Sequence, residues 1–241
     1  MPILWDGARP RRPDRGLPVG KRRSMEERAE IRTTRKMIDI FGFDGALLRD
    51  AVVTRAPAAS RSYADGLYPP AAAGIVRWIE TVATIREALA PFGYEPDDTD
   101  QLAKVIHRAR GVAIVPASGS ALTGIPLAVA RKEPSTKWPR GERTAVAVER
   151  NNQLALFGTA EEHAAIDEDP RLLETWVLLQ HATTQEVRSE LSLPGGMSAR
   201  GFITTWRERF ILPPLDNDGG PVDEPFGDDY DEGPDIPVVP R

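Results

Sequence analysis

The sequence predicts an α+β fold in which a mainly helical body carries a small antiparallel sheet and ends in a unit of three helices. Three observations lead to this prediction. Apolar residues recur at spacings of three and four through most of the chain, one segment over 144–157 instead alternates around a turn, and charge and proline concentrate at both ends. We therefore expect a basic flexible arm over 1–23, an α+β body over 24–158, a helical subdomain over 159–212 and an acidic, proline-rich tail over 213–241.

The composition is that of an ordinary globular protein. The chain has 241 residues, of which 41% are hydrophobic and 28% are charged. Its apolar runs fall far short of the roughly 20 residues that cross a bilayer. It has no cysteine, which excludes disulfides, thiolate metal ligands and cysteine nucleophiles. The N-terminus lacks the basic-then-apolar order of a secretory signal. We expect a soluble, cytoplasmic protein that does not associate with membranes.

Charge is distributed unevenly along the chain. The net charge is −5, yet residues 1–36 hold 11 basic and 5 acidic residues, whereas residues 213–241 hold 1 basic and 9 acidic. Clustered cations neutralise phosphates and release counterions, so the arm is a candidate for binding double-stranded DNA. Its candidate nucleic-acid-binding residues are Arg11, Arg12, Lys21, Arg22 and Arg23. An arm that wraps a protein partner has the same composition, and this alternative stays open.

The acidic tail has three interpretations. Its like charges and prolines oppose helix and strand formation, which is typical of a solvated, solubilising segment. The same tail also suits a docking peptide, or an intramolecular mimic of a polyanion that competes for the basic arm. Phe226 and Tyr230 in the tail, and Trp5 in the arm, are candidate partner-binding residues because a pure solubiliser needs no aromatic anchors.

Helical patterns dominate the first half of the body. They predict helices over 24–42, 44–53, 71–90 and 98–111, with a loop over 56–70. In the third of these helices, six apolar residues form one stripe that we expect to be buried: Ile75, Trp78, Ile79, Val82, Ile85 and Leu89. A short apolar run over 112–115 predicts a strand, and 125–130 predicts another.

The antiparallel sheet is predicted from residues 144–157. Residues 144–149 and 153–157 are rich in Val, Ala and Leu, and they flank Arg150-Asn151-Asn152. Asparagine tolerates the left-handed backbone of tight turns, so Asn151-Asn152 is expected at the tip of a β-hairpin.

The three predicted helices between residues 170 and 212 resemble a helix-turn-helix unit. Thr183 and Glu186 fit a capping box at the start of the second helix, and the third extends over 198–210. On that third helix, Arg200, Thr204 and Arg207 face outward, where they suit contacts with bases or phosphates. Any three amphipathic helices give this pattern, so a plain helical subdomain is the alternative.

No catalytic, metal or cofactor site is predicted. The loop over 118–124 lacks the residues of a nucleotide P-loop or a nucleophile elbow, so a turn is preferred over an anion cradle. The three histidines show no metal-ligand spacing. Trp138 lies in a polar loop and is a candidate for stacking on a ligand or base.

These observations favour a non-catalytic, DNA-associated regulator or accessory subunit that uses a basic arm and an HTH-like helix. The alternative is a protein–protein scaffold or assembly subunit that docks through its termini. An enzyme whose site is built from scattered residues is the third possibility.

Overall fold

One mixed sheet of six strands forms the centre of the protein. The computed structural model describes residues 19–64, 66–157 and 173–217. The strands lie in sequence order, and four of the five neighbouring pairs are antiparallel while β3 and β4 are parallel. They are β1 (Glu95–Asp97), β2 (Lys104–His107), β3 (Val112–Ser118), β4 (Glu174–Ala182), β5 (Glu186–Met197) and β6 (Ile203–Asp216).

Helices accompany this sheet along the chain. Four of them precede β1 and two lie between β3 and β4, where a parallel pair requires a long crossover. They are α1 (Val19–Phe41), α2 (Gly45–Thr54), α3 (Ala56–Arg61), α4 (Ala72–Leu89), α5 (Leu127–Ala130) and α6 (Glu142–Phe157). None of the helices in the described ranges combines the length and apolarity that crossing a membrane requires.

The larger core lies between one face of the sheet and helices α1, α2 and α4. Its centre is aromatic: Phe41 at the end of α1 meets Trp176 of β4 edge-on with ring centroids 4.9 Å apart, and Trp176 stacks on Phe210 of β6 at 5.5 Å. Leu48 and Ile85 bring α2 and α4 into the same cluster. This packing fixes the C-terminal end of α1 to the body.

The second core lies on the opposite face of the sheet, beneath α6. Val148 of α6 clusters there with Leu179 of β4 and Trp206 of β6. Asn151 joins the helix to the sheet through its side chain, because its amide donates to the Thr175 carbonyl and its oxygen accepts from the Thr175 N–H, both at 2.8 Å. Buried polar groups paired in this way hold α6 in one position.

The predicted C-terminal three-helix unit is wrong, since this region forms strands β4, β5 and β6. The apolar run of β4 is buried on both faces, and such a run matches helical spacing as well as a core strand. Thr183 does make a capping-like interaction, but in a hairpin turn: its hydroxyl accepts from the Glu186 N–H at 3.0 Å. The antiparallel pairing of β4 with β5 then extends from this turn.

The predicted hairpin over 144–157 is also wrong, because these residues form α6. Thr144, Ala147, Val148 and Asn151 are the buried positions, and their spacings of three, one and three belong to a helix. Ala, Glu, Arg and Leu, which favour helices, make up half of the segment. The sheet is therefore built from other residues and is mixed, with one parallel pair.

Three smaller predictions also differ from the structure. Residues 98–111 form β2 and two short 3-10 turns instead of a helix, and residues 127–130 form α5 instead of a strand. The predicted loop over 56–70 begins with helix α3. The helix over 71–90 is confirmed as α4, but only Val82, Ile85 and Leu89 of its apolar stripe are buried. Ile75 and Trp78 are exposed.

Candidate nucleic-acid interface

Residues 28–33 of α1 lie on an exposed stretch of the helix. Every described side chain between positions 28 and 33 is exposed, namely Arg28, Glu30, Ile31, Arg32 and Thr33. At 100° per residue these five positions surround the helix completely. Further along the helix, Met37 and Phe41 are buried in the core. The helix is thus anchored at its C-terminal end, and the stretch over 28–33 is exposed on all sides.

Cations predominate on this exposed stretch. Arg28, Arg32, Arg35 and Lys36 are exposed there, against the single carboxylate of Glu30. Lys36 forms an ion pair with Glu208 of β6, and among the described side chains Arg28, Arg32 and Arg35 lie on α1 before that contact. Clustered cations on a helix are the electrostatic footprint of polyanion binding.

The C-terminal end of α1 is fixed by a second basic residue. Arg110, between β2 and β3, donates to the carbonyl of Asp39 at 3.0 Å. A cation at this end complements the negative pole of the helix dipole and satisfies a carbonyl that has no partner within the helix. Together with the buried Phe41, this contact sets the direction in which α1 leaves the body.

Part of the predicted nucleic-acid site falls on α1. Lys21, Arg22 and Arg23 belong to this helix, so the predicted arm over 1–23 is helical from residue 19 onward. Arg11, Arg12 and the partner-binding candidates Trp5, Phe226 and Tyr230 lie outside the described residues.

The remaining predicted residues do not share a helix face. Arg200 is exposed in the turn after β5, and Thr204 is exposed near the start of β6. Arg207, also on β6, donates to the Asn151 carbonyl at 2.7 Å, where it joins the strand to the last turns of α6. The prediction of an HTH-like recognition helix is therefore wrong, because the residues that would form it make a β-turn and an edge strand.

A second group of basic residues lies near Trp138 along the chain and across one backbone contact. Its indole is 48% exposed, and the ammonium of Lys137 lies 5.9 Å from the ring centroid, within the range of a cation–π interaction. Arg140 and Arg143 follow in the chain, and Arg200 is added from the turn after β5. We call Lys137, Trp138, Arg140, Arg143 and Arg200 the Trp138 surface.

Backbone contacts bring the two segments of the Trp138 surface together. The Arg140 N–H donates to the Gly201 carbonyl at 2.7 Å, which places the turn that carries Arg200 beside the loop that carries Trp138. A Cβ added to Gly201 would lie 3.0 Å from the Arg140 carbonyl oxygen, so the close approach depends on glycine. Gly201 also has a φ of +85°, which favours glycine.

Arg140 is the most desolvated cation of this surface. Burial lowers the pKa of its guanidinium, although an arginine stays protonated at any physiological pH. The side chain lines a cavity of about 10 Å³ together with Thr144 and Thr175, which is space for a single water molecule.

The loop over 118–124 uses its backbone donors internally. The N–H groups of Gly119 and Ser120 donate to the carbonyls of Gln180 and Ser135, at 2.7 and 2.8 Å. The Gly124 N–H donates at 2.9 Å to the carboxylate of Glu190. The anion at this loop is thus a side chain of the same protein.

Glu190 is the centre of a buried ionic network. It is fully buried and accepts from Ser192 Oγ at 2.9 Å and from Arg209 Nη2 at 2.6 Å. Arg209 also donates to the Ile125 carbonyl at 3.2 Å. Because Gly124 and Ile125 are both held, the network fixes the start of the segment that leads to Trp138.

Among the described residues, no group of three or more His, Asp or Glu side chains has an arrangement that holds a metal ion. His107 and His181 lie on β2 and β4, and His163 lies outside the described ranges. The chain resembles no known protein in the comparisons: no family model, no curated protein and no solved structure matches it.

Proposed function

We propose that this chain is a non-catalytic, DNA-associated protein, a regulator or an accessory subunit, that binds duplex DNA through α1. The observation that supports the proposal is the exposed stretch of α1 that carries Arg28, Arg32 and Arg35. A helix that is anchored at its C-terminal end and exposed before it can lie along or in the major groove, as the continuous basic helices of some DNA-binding proteins do. Its arginines provide contacts to phosphates and to base edges.

The charge of the described residues supports the same proposal. Residues 19–64, 66–157 and 173–217 carry 25 basic and 20 acidic side chains, a net charge of +5. The rest of the chain carries −10, since the total is −5. A net positive body attracts polyanions over distances comparable to the Debye length, even though the whole chain is acidic.

The proposal is tested by removing two charges from α1. The full-length Arg28→Gln/Arg32→Gln variant is titrated against a labelled duplex by fluorescence anisotropy at several salt concentrations. Each phosphate contact contributes about 0.9 to the slope of log K against log salt, so losing two contacts makes the slope shallower by about 1.8.

The matched control is Arg108→Gln/Arg131→Gln, which removes two exposed arginines from elsewhere in the fold. It is expected to leave the salt slope within error of the wild type. Equal slopes for both variants, whether both are reduced or both unchanged, contradict a duplex site on α1.

A second candidate function, an assembly subunit that docks other proteins, is favoured by α4. Its N-terminal half exposes Ile75, Trp78 and Ile79 on adjacent turns, at 55%, 40% and 48%. Contiguous apolar surface of this kind is typical of protein interfaces. Sedimentation velocity tests the simplest partner, a second copy of the chain: Ile75→Glu/Ile79→Glu is expected to abolish self-association, whereas Leu127→Glu/Val129→Glu on α5 is not.

A further inference from the structure

We infer that the Trp138 surface binds an unpaired nucleotide of a single-stranded nucleic acid, with the base stacked on the indole and the flanking phosphates on the surrounding cations. This site is separate from α1 and goes beyond the duplex binding proposed for that helix. DNA and RNA share the base and phosphate chemistry on which the inference depends.

The indole is presented by a rigid loop. On its N-terminal side, the Thr136 N–H donates to the Ile203 carbonyl at 3.1 Å and the Lys137 N–H donates to the Ser118 carbonyl at 2.9 Å. On its C-terminal side, Arg140 is bonded to Gly201. Lys137 is thus tied to strand β3, and Arg140 to the turn between β5 and β6. A side chain held in this way loses little conformational entropy when a ligand stacks on it.

The other described tryptophans lie in surroundings that differ from those of Trp138. Trp176 is at the centre of the larger core, and Trp206 is buried with its indole N–H donating to the Pro134 carbonyl at 2.8 Å. Trp78 is exposed, but its neighbours on α4 are the apolar Ile75 and Ile79, which suit a protein surface. Trp138 is instead exposed next to the ammonium of Lys137. These surroundings suit a ligand that combines a flat apolar ring with negative charge.

The charges around the indole fit a nucleotide. The segments 137–143 and 198–201 hold four basic residues and one acidic residue. The ammonium of Lys137 lies over the ring, 5.9 Å from its centroid, within reach of a phosphate of a nucleotide stacked on the other face of the indole. Every base has a face that stacks on an indole, so we expect little sequence preference.

Duplex DNA fits this surface less well than single strands. In a duplex the base faces are covered by neighbouring bases, and exposing one requires unstacking that costs a few kcal/mol. Single-stranded sites typically combine a positively charged surface with aromatic side chains, and the Trp138 surface has both.

The inference is tested with full-length protein and three probes: a short oligothymidylate, an oligouridylate of the same length, and a blunt-ended DNA duplex formed from two strands. Stacking of one base on an aromatic side chain corresponds to roughly a 5- to 150-fold change in affinity on alanine substitution. Trp138→Ala is therefore expected to weaken binding of both single-stranded probes by an amount in this range and to leave duplex binding unchanged. Trp138→Phe, which keeps a smaller ring, is expected to fall between the wild type and Trp138→Ala.

Two controls separate this inference from the proposed function of α1. Trp78→Ala removes another exposed tryptophan and is expected to leave all three affinities unchanged. Arg28→Gln/Arg32→Gln is expected to weaken binding of the duplex, while single-strand binding still depends on Trp138. Loss of duplex binding in the α1 variant therefore tests α1 alone, whatever Trp138→Ala does.

Three results overturn the inference. One is that Trp138→Ala binds the single strands as tightly as Trp78→Ala does. Another is that it weakens duplex and single strands equally. The third is that a peptide with the sequence of residues 213–241 binds in a Trp138-dependent manner while neither single-stranded probe does, which would identify an acidic peptide as the occupant. Unchanged thermal unfolding of Trp138→Ala checks that the fold is intact, as expected for an exposed side chain.

Discussion

Replacing Arg209 by methionine is expected to be among the most destabilising single changes in the protein. Arg209 donates two hydrogen bonds to the carboxylate of Glu190, from Nε at 3.1 Å and from Nη2 at 2.6 Å. Methionine fills a similar volume but leaves a fully buried carboxylate with only the hydroxyl of Ser192 and the N–H of Gly124 as donors. Removing one partner of a buried ion pair typically costs about 3–5 kcal/mol of unfolding free energy. For a domain of this size each kcal/mol lowers Tm by about 2–4 °C, so the expected decrease is roughly 6–20 °C.

Stability is expected to recover when the charges of both Glu190 and Arg209 are removed. Because a buried ion pair also costs desolvation, replacing both partners with apolar residues is often neutral or stabilising. Glu190→Leu/Arg209→Met is therefore expected to regain much of the lost stability, apart from the cost of leaving the N–H of Gly124 without its acceptor, about 1–3 kcal/mol. Both variants are measured by urea denaturation followed by circular dichroism. If the single variant loses less than about 1 kcal/mol, or the double variant is less stable than the single, then the ion pair does not hold the Gly124–Ile125 loop as argued.

Three further predictions follow from individual contacts and charges. Burial, with the charge of Arg110, lowers the pKa of His107, so the unfolded chain takes up the proton more readily and this residue's contribution to stability is lost as pH falls below about 6.5. His107→Gln is therefore expected to reduce the difference between the urea midpoints measured at neutral and at mildly acidic pH. An unchanged difference would contradict this role of His107. Asp44 caps α2 by accepting from the N–H groups of Ala46 and Leu47 at 3.0 and 3.3 Å. Asp44→Ala is therefore expected to lower the free energy of unfolding, measured by urea denaturation, by about 1 kcal/mol, and Asp44→Asn by much less. Equal losses in the two variants would argue against a capping role. Deleting residues 218–241 changes the net charge from −5 to +2. Anisotropy titrations are expected to show that the shortened protein binds duplex DNA more tightly at low salt, and that this difference in affinity decreases as salt rises. Unchanged affinity would show that the tail does not oppose DNA binding.

Local signals predicted the elements whose residues interact with near neighbours. The cap of α2 was predictable because Asp44 bonds to residues two and three positions away. The end of α1 at Gly42 was predictable for a similar reason, since Gly42 has a φ of +83° and its N–H closes the helix on the Ile38 carbonyl. These interactions are formed within one turn, so a short window of sequence contains both partners.

The strands after residue 173 could not be predicted in this way. The burial of β4 on both faces comes from α6 on one side and from α1 on the other, and neither contact is encoded within β4 itself. Strand β5 did carry a signal, because Val187, Ser189, Leu191 and Leu193 alternate and all are buried. The capping-box pattern at Thr183 and Glu186 favoured a helix over this alternation, although the same hydroxyl-to-N–H bond also closes a turn between strands.

The candidate site was predictable only in its separate parts. The sequence Lys137-Trp138-Pro139-Arg140 marks Trp138 as a tryptophan in a polar loop, and Arg200 was also singled out, but for a helix face that does not exist. Their proximity depends on the hydrogen bond between Arg140 and Gly201, which joins residues 61 positions apart. A contact of this separation is determined by the pairing of β5 with β6 and by the loop that crosses from β3, and both are properties of the complete sheet.

The arrangement of charge links the two proposed sites to the rest of the chain. The described residues carry a net positive charge and the rest of the chain a strong negative charge, so both signs are present in one molecule. Several basic residues hold parts of the fold together: Arg209 is paired with Glu190, and Arg110 and Arg207 bond to backbone carbonyls. Arg28, Arg32 and Arg35 lie on an exposed stretch of α1, where a polyanion reaches them without disturbing the core. Attraction between separated charges is screened by salt, whereas stacking of a base on an indole is not, so the effect of the tail is expected to disappear with salt while stacking on Trp138 is not.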